Sequence, residues 1–213
     1  MTKEERLQKQ RERLVEMSVY ETALREEGAK WIAGVDEVGR GPLAGPVVAA
    51  AVILPEDFDL LGVDDSKKLS EKRREELFEQ IREKAVCYAI GMADHKRIDE
   101  INILEATKEA MRQAISNLQT QPDHLLIDAL TLKEIEIPQT GIVKGDGKSV
   151  SIAAASILAK VTRDRMMVEY HKEYPHYAFD KNKGYGTKAH YEGIASHGIC
   201  PWHRKSFLKN LGY

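Results

Sequence analysis

The first part of the chain is highly charged, and its apolar residues recur at helical spacing. One stripe is formed by Leu7, Leu14, Met17 and Leu24. No glycine or proline interrupts the stretch before Gly28, so the pattern predicts a helix over residues 3–27. We assign residues 1–30 to an N-terminal helical extension. Because it contains no candidate catalytic or metal-binding residue, we expect deletion of residues 1–28 to spare the chemistry.

After residue 30 the apolar residues form short runs that are typical of buried strands. Strands are predicted over residues 31–38, 47–54, 86–92, 124–130 and 141–144. Apolar positions at helical spacing predict helices over residues 70–85, 98–118 and 150–170. This alternation predicts an α/β domain over residues 31–213, with a mixed sheet and helices on both faces. Past Tyr170 the pattern breaks into loops and short helices, which form a C-terminal region of about residues 171–213.

Composition narrows the class of protein. The chain has 213 residues, 42% of them hydrophobic, and a formal net charge of -2, so it is neither disordered nor large enough for two sizeable domains. Its longest apolar run, residues 43–54, is too short to cross a bilayer, and the N-terminus begins with charged residues. Its two cysteines, Cys87 and Cys200, give no disulfide framework. We therefore expect a cytoplasmic protein with no membrane partner.

Charge is unevenly distributed along the chain. Residues 160–213 contain ten Lys or Arg against five Asp or Glu, and they also hold nine of the fourteen aromatic residues. A basic stretch interleaved with aromatic side chains suits contact with phosphates and stacking on bases or sugars. A solvated helical face with core aromatics explains the same pattern equally well.

Four acidic residues occupy positions where an acid is difficult to explain by folding alone. Asp36 and Glu37 interrupt the first strand, Asp128 follows a run of apolar residues, and Asp146 lies between two glycines. Each alone could face solvent at a strand end, cap a turn or cap a helix. If all four converge on one cleft, they require counter-charge, and two Mg²⁺ or Mn²⁺ ions would supply it. Such a pair of ions is suited to phosphodiester hydrolysis.

The glycines after the first strand bear on this cleft. Adjacent strand residues point to opposite faces, so Asp36 and Glu37 can share the cleft only if the strand ends or distorts there. Gly39 and Gly41 make such a distortion plausible, and their backbone could approach a ligand closely. Arg40, between them, could hold a phosphate or ribose hydroxyl. A tight turn would explain the glycines but not the arginine.

Two other motifs are weaker. Residues 141–149 resemble a nucleotide-phosphate loop, but five residues instead of four separate Gly141 from Gly147, which disfavours an NTPase. The triplet His197, Cys200 and His203 has metal-like spacing but supplies only three ligands. Loop histidines beside a basic segment are the favoured interpretation, with zinc as the alternative.

Six segments in order along the chain carry a family resemblance. They are VDEVGRGPLAGP from residue 35, DSKKL from 65, IDA from 127, KGD from 144, SIAAASILAKVTRD from 151 and KGYGT from 183. Together they resemble type 2 ribonuclease H, the bacterial ribonuclease HII, from about Trp31 to the C-terminus. The resemblance implies a ribonuclease H-like fold: a five-stranded mixed sheet flanked by helices, with a small helical C-terminal region that binds substrate.

The resemblance also implies an activity and its residues. The expected activity is endonucleolytic cleavage of RNA in RNA/DNA hybrids and incision 5′ of ribonucleotides embedded in DNA, leaving 3′-hydroxyl and 5′-phosphate ends. The family's metal-binding acids fall on Asp36, Glu37, Asp128 and Asp146. Its substrate-binding positions fall on Gly39, Arg40, Gly41, Lys67, Lys68 and the junction-sensing Tyr185. We expect a monomer whose partners are RNA/DNA hybrids and ribonucleotide-containing DNA duplexes.

The rival from another class is a non-catalytic RNA/DNA-binding module in which the acids are structural. The acid set separates the two hypotheses, because a binding module gains nothing from four carboxylates beside a polyphosphate that they repel.

Overall fold

A five-stranded sheet forms the centre of the protein, seen in a computed structural model that describes residues 2–213. Its strands are β1 (Ile32–Val38), β2 (Val47–Ile53), β3 (Cys87–Ala93), β4 (His124–Asp128) and β5 (Gln139–Ile142). The spatial order is β3-β2-β1-β4-β5. The β1–β2 and β2–β3 pairs are antiparallel, whereas the β1–β4 and β4–β5 pairs are parallel.

Within residues 2–213, eight α-helices surround or extend this sheet. They are α1 (Lys3–Met17), α2 (Val19–Glu26), α3 (Glu71–Lys84), α4 (His95–Ile101), α5 (Ile103–Ser116), α6 (Val150–Glu173), α7 (Phe179–Asn182) and α8 (Lys188–His197). Short 3-10 turns lie at Ser66–Lys68, Gly145–Gly147, Pro175–Tyr177, Lys205–Phe207 and Lys209–Leu211. No helix within residues 2–213 is both long and apolar enough to span a membrane. The predicted α/β architecture, a mixed sheet flanked by helices, is confirmed.

Strand β2, which lies beside the central strand β1, is buried along its whole length because helices cover both faces of the sheet. Val48, Ala50 and Val52 pack with α3 and α6, whereas the alternate residues of β2 pack with α5. Small alanines in β2 and α6 allow helix and sheet to approach closely. The core is therefore two apolar layers, one on each side of the sheet.

One of the tightest contacts between helix and sheet is at Gly34 in β1. A Cβ atom on this residue would lie 2.1 Å from the backbone carbonyl carbon of Ser151, in the first turn of α6. Only glycine fits, because backbone atoms of a helix cannot move aside as a flexible side chain can. The start of α6 is thus held directly against β1.

The predicted first helix is two helices that meet at Ser18. The Ser18 hydroxyl donates to the Leu14 carbonyl at 2.8 Å, and the Ser18 amide donates to the Val15 carbonyl at the C-terminal end of α1. Met17 and Glu21 are buried against the rest of the protein. The division between an extension over residues 1–30 and a domain over residues 31–213 stays a prediction.

The predicted helix over residues 98–118 is also divided, at Asn102. This residue has φ 69°, a conformation that ends α4, and its side chain accepts hydrogen bonds from Leu104 and Glu105 to begin α5. The preceding helix starts earlier than expected, at His95, because Asp94 caps it. Similarly, β4 ends at Asp128 because Ala129 has φ 52°.

The C-terminal region has its own small core. Tyr177 and Phe179 are buried beside Leu43 and Met167, and Trp202 stacks on Tyr170 with ring centroids 4.0 Å apart. Several aromatics of the basic segment therefore pack the interior, as the alternative interpretation of that segment requires. Others remain available at the surface, namely Tyr185, Tyr191 and Tyr213.

Candidate active site

Parallel pairing of β1 with β4 brings two of the predicted acids to one edge of the sheet. Val35 lies opposite Ile127, so Asp36 and Asp128 follow on neighbouring strands. The third element is the Gly145–Gly147 turn, which carries Asp146 just before α6. The Gly145 amide donates to Asp128 Oδ1 at 2.6 Å, which fixes the turn against the end of β4. The strand pairing and this bond place the three acids in one neighbourhood.

Asp36 is the most buried of the strand acids, with 4% of its surface exposed. Burial raises its pKa well above the ordinary aspartate value, and the charges of Glu37 and Asp128 raise it further. The Ser156 hydroxyl and the Glu37 amide, which donates to Asp36 Oδ1 at 2.7 Å, act in the opposite direction. These donors do not offset the cost of a buried charge among other carboxylates.

Glu37 and Asp128 experience the same crowding. Burial raises the pKa of Glu37, and Arg40, with Nη1 3.5 Å from Glu37 Oε1, lowers it. The other carboxylate oxygen of Glu37 is buried and accepts no hydrogen bond from residues 2–213. Burial also raises the pKa of Asp128, whereas the hydrogen bond from the Gly145 amide lowers it. The site therefore contains more buried carboxylate than its own donors stabilise.

The first strand does not distort at these acids as the sequence argument required. The β1–β2 register is continuous from Ala33↔Ile53 to Val38↔Val48. Asp36 therefore points to the α6 face, and Glu37 points to the α5 face with Val35. The charge of Asp128 raises the pKa of both acids. Asp128, at the end of β4, is therefore close enough to influence both Asp36 and Glu37, although these two acids point to opposite faces of β1.

The donor set suits a hard divalent cation. Asp36, Glu37, Asp128 and Asp146 all offer carboxylate oxygens. An ion would stabilise the unsatisfied oxygen of Glu37 and the charged form of Asp36. Within residues 2–213, no three acidic, histidine or cysteine side chains are arranged around a common ion position. Lys67 Nζ lies 3.2 Å from Asp146 Oδ2 and occupies that carboxylate.

Lys67 and Lys68 lie on the Ser66–Lys68 turn beside the acids. Lys67 contacts Asp146, as described, and Lys68 Nζ lies 3.4 Å from Asp64 Oδ1. Both side chains are mostly exposed. They are therefore positioned at the rim of the acidic cleft, where they can exchange a carboxylate partner for a phosphate.

The glycine-arginine-glycine segment lies beside Tyr185. Gly39 has φ 95°, and a Cβ there would meet Arg163 Nε at 2.3 Å. A Cβ on Gly41 would lie 3.5 Å from Cε1 of Tyr185, an ordinary contact distance. Tyr185 is 44% exposed, so its ring and the Gly41 backbone form one accessible surface.

Two buried arginines that sequence reasoning missed hold this surface in place. Arg204 donates to the carbonyls of Gly39, Arg40 and Gly45, and Arg163 donates to those of Ala44, Pro46 and Lys183. Burial lowers the pKa of Arg163 to about 10 and that of Arg204 to about 9, so both stay charged at neutral pH. In the sequence they are two of ten basic residues in one segment, and nothing distinguishes them from surface cations.

A pair of buried histidines supports the Tyr185 backbone. The Cys200 amide donates to His203 Nδ1 at 2.9 Å, so His203 carries its proton on Nε2 and donates to His190 Nε2 at 3.0 Å. His190 Nδ1 then donates to the Tyr185 carbonyl at 2.9 Å. Burial lowers the pKa of His203 to about 4, which keeps this chain neutral.

The metal-like triplet does not assemble. His203 is buried beside Cys200, whereas His197 stacks on His176 with ring centroids 3.9 Å apart. His203 lies in the loop between α8 and the Lys205–Phe207 turn, in agreement with the favoured interpretation, and it is buried there. Cys87 is buried in β3, as expected for a core residue.

Comparison with known proteins gives one consistent result. The family model described as Ribonuclease HII matches residues 33–210. A ribonuclease HII of Bacillus thuringiensis (strain Al Hakam) is 60% identical over 200 residues, which cover 94% of this chain and 77% of that protein. The chain's fold is similar to that of ribonuclease H2 from Pyrococcus horikoshii, with a TM-score of 0.69, 30% identity and coverage of 83% and 93% of the two chains.

A second solved structure is that of ribonuclease HII from Archaeoglobus fulgidus in complex with PCNA. Its TM-score is 0.70 at 32% identity, with 84% of this chain and 94% of that chain covered. The region that the family model matches, residues 33–210, includes β1 from Ala33 onwards, β4, the Asp146 turn and the Tyr185 loop. The chain therefore belongs to the ribonuclease HII family and is a ribonuclease H.

Proposed function

We propose that this enzyme cleaves the RNA strand of RNA/DNA hybrids and incises duplex DNA 5′ of embedded ribonucleotides, leaving 3′-hydroxyl and 5′-phosphate ends. The observation that carries the proposal is the group of under-stabilised carboxylates at the shared edge of β1 and β4. Asp36, Glu37 and Asp128 all have raised pKa values there, and one Glu37 oxygen has no donor in residues 2–213.

The four acids would hold two divalent cations, Mg²⁺ or Mn²⁺. Bound at this edge, the two ions would activate a water molecule and stabilise the leaving oxygen of the phosphodiester. Asp36 and Asp128, from neighbouring strands, are placed to hold one position jointly. Glu37, next to Asp36 on β1, and Asp146, on the turn that Gly145 joins to Asp128, would complete the set. The chain's contribution is to keep these oxygens together at a fixed spacing before substrate arrives.

Lys67 supports this assignment by its exchangeable contact. Its ammonium neutralises Asp146 at 3.2 Å while its side chain remains mostly exposed. If Asp146 held a cation, Lys67 would be free to reach a substrate phosphate at the rim of the cleft. Lys68, paired with Asp64 at the same rim, has the matching position for a second phosphate. Both lysines thus hold the backbone of the strand beside the acids.

Recognition of the ribonucleotide is assigned to the surface formed by Gly39, Arg40, Gly41 and Tyr185. The 2′-hydroxyl is the local chemical mark of a ribonucleotide within DNA, and it both donates and accepts hydrogen bonds. The Gly41 backbone is accessible because no side chain intervenes, and the Tyr185 ring lies beside it. The tyrosine hydroxyl can bond the ribose, and its ring can stack on the next deoxyribose.

The C-terminal region would bind the rest of the duplex. Lys188 is 90% exposed on α8, close in sequence to Tyr185, and Tyr191 is also exposed. These residues provide the phosphate and stacking contacts expected for RNA/DNA hybrids and ribonucleotide-containing duplexes. Nothing in this arrangement needs a second copy of the chain, and we propose that the enzyme acts as a monomer.

The decisive experiment uses a labelled DNA duplex that carries one ribonucleotide, incubated with and without Mg²⁺ or Mn²⁺ and read on a sequencing gel. We expect one incision 5′ of the ribonucleotide, only with metal, and none in an all-DNA duplex. Metal-independent incision would overturn the two-ion assignment. Family membership favours this enzyme over a non-catalytic RNA/DNA-binding module, which would bind the duplex and leave it intact at every metal concentration.

A further inference from the structure

Helix α2 contributes a buried acid to the start of α6. Glu21 is 1% exposed, and its Oε1 accepts hydrogen bonds from the Ser149 hydroxyl at 2.6 Å and the Ser151 amide at 2.9 Å. Amides at the start of a helix lack partners within the helix, and an acidic group is stabilised there by the helix dipole. Glu21 therefore holds the N-terminus of α6 from outside, directly after the turn that carries Asp146.

Helix α1 contacts the same turn through Arg13. Its Nη2 donates to the Gly147 carbonyl at 2.7 Å, one residue after Asp146. The same guanidinium makes a two-point contact with Asp64, Nε to Oδ2 at 3.1 Å and Nη2 to Oδ1 at 3.2 Å. Asp64 in turn pairs with Lys68. Arg13 therefore joins the Asp146 turn to the segment that carries the rim lysines.

These contacts act on a turn whose other backbone hydrogen bonds are local: the Gly147 amide donates to the Lys144 carbonyl, and the Lys148 and Ser149 amides donate to the Gly145 carbonyl. The Gly145–Gly147 turn follows Lys144, whose φ is 58°, and two of its three residues are glycines. Glycine-rich backbone is conformationally permissive, so the position of the Asp146 side chain depends on what fixes the turn at each end. The Asp128 contact fixes the beginning, at Gly145, and the contacts of Arg13 and Glu21 fix the end.

We propose that Arg13 and Glu21 are positioning residues for Asp146, so that the N-terminal helices set the metal affinity of the active site. The inference rests on the proposed function, in which Asp146 is a metal ligand. It reverses the expectation that residues 1–28 are dispensable for the chemistry, because the contacts cross from that segment to the acid turn. Groups that orient metal ligands without touching the ion typically change metal affinity by about 10–100-fold when mutated.

The test is a Mn²⁺ titration of the full-length protein, with free Mn²⁺ followed by electron paramagnetic resonance. We expect Arg13→Ala and Glu21→Ala each to raise the Mn²⁺ dissociation constant by about tenfold. Arg13→Lys keeps one donor for Gly147 and should restore part of the affinity. Arg11→Ala removes the same charge from an exposed position of α1 and is the matched control, with wild-type affinity expected.

Two further measurements separate positioning from a general structural role. The melting temperature without metal and the duplex dissociation constant in EDTA should both stay near wild type in Arg13→Ala. Wild-type Mn²⁺ affinity in Arg13→Ala, beside weakened binding in Asp146→Asn, would overturn the inference and leave the proposed function standing. Unchanged Mn²⁺ affinity in Asp146→Asn would instead remove Asp146 from the metal site, and the proposed function would fail at that residue together with the inference.

Discussion

Arg163 and Arg204 donate to interleaved carbonyls of one loop: Arg204 to Gly39, Arg40 and Gly45, and Arg163 to Ala44 and Pro46. Neither guanidinium forms an ion pair with a carboxylate of residues 2–213. Two buried cations that are satisfied entirely by backbone carbonyls fix the shape of the loop more firmly than its glycines alone would. The shape of this loop is therefore fixed before any ligand binds.

Substitution of Arg163 should be far more costly than substitution of Arg165, two residues away on α6. Arg163→Ala leaves three buried carbonyls without donors, and we expect a loss of roughly 3 kcal/mol or more in the free energy of unfolding. Arg165 forms exposed ion pairs with Glu75 and Glu79, so Arg165→Ala should cost less than about 1 kcal/mol. Denaturant unfolding of both variants measures the difference, and equal losses would contradict the role assigned to Arg163.

Asp36→Asn and Asp128→Asn should each abolish cleavage while preserving the fold. Loss of a metal ligand removes several kcal/mol of transition-state stabilisation, about three orders of magnitude in rate or more. Since Asp36 has a raised pKa, its charged form is disfavoured in the folded state, and Asp36→Asn should keep or increase the melting temperature in EDTA. Single-turnover cleavage at saturating Mg²⁺, paired with thermal unfolding, tests both expectations; near-normal turnover would exclude the assignment.

Tyr185→Ala should greatly reduce incision at a single embedded ribonucleotide, by about tenfold to a hundredfold for lost stacking of one residue. Tyr185→Phe keeps the ring and should lose less. Tyr213→Ala, which removes another exposed tyrosine that has no proposed substrate contact, is the matched control. If Tyr185→Ala and the wild type incise this substrate equally, the side chain only packs its loop.

The two glycines beside Arg40 should differ in their tolerance of alanine. Gly41→Ala adds a Cβ at an ordinary 3.5 Å from the Tyr185 ring, so the fold should be kept, while the methyl group obstructs the backbone proposed to read the 2′-hydroxyl. Gly39→Ala would place a Cβ 2.3 Å from Arg163 Nε at φ 95°, and we expect substantial destabilisation. Melting temperatures and cleavage rates of both variants, measured together, separate folding from recognition. Full activity in a folded Gly41→Ala would remove its backbone from the recognition surface.

Acid should weaken the protein through His203. Its pKa is about 4 in the folded state against about 6.5 when unfolded. Its contribution to stability is therefore complete above pH 6.5, decreases progressively as the pH falls from 6.5, and is lost once the pH has fallen through 4. Between about pH 7 and pH 5 the wild type should lose about 2 kcal/mol more than His203→Gln. Urea unfolding at both pH values measures this, and parallel losses would contradict a buried neutral His203.

Much of this architecture follows from local patterns in the chain. The strands were predictable because apolar runs end at glycines and prolines, and the meeting of Asp36 with Asp128 follows once β1 and β4 are parallel neighbours. The helix breaks at Ser18 and Asn102 were not predictable, since hydrophobic periodicity continues across both positions. The first break depends on a hydrogen bond from the Ser18 hydroxyl to the Leu14 carbonyl, and the second depends on the positive φ of Asn102.

The supporting residues of the site escaped prediction for a different reason. Glu21, Arg163 and Arg204 are ordinary charged residues in the sequence, and their roles arise only when distant segments meet. A charged side chain is expected at the surface unless a partner is known, and the partners here are backbone groups, which leave no trace in composition. The chemical groups of the site were thus predictable, whereas the framework that orients them was not.

Gly34 determines the width of the cleft although it carries no chemical group. It sits two residues before Asp36 on β1 and touches α6 five residues after Asp146, so the separation of those two acids is set by direct contact between backbones. A methyl group there would force strand and helix apart by more than about 1 Å, because the 2.1 Å separation would have to reach normal contact. In a saturation screen scored only by activity, position 34 would therefore resemble a residue of the site itself, and a substitution there would act by changing the spacing between Asp36 and Asp146.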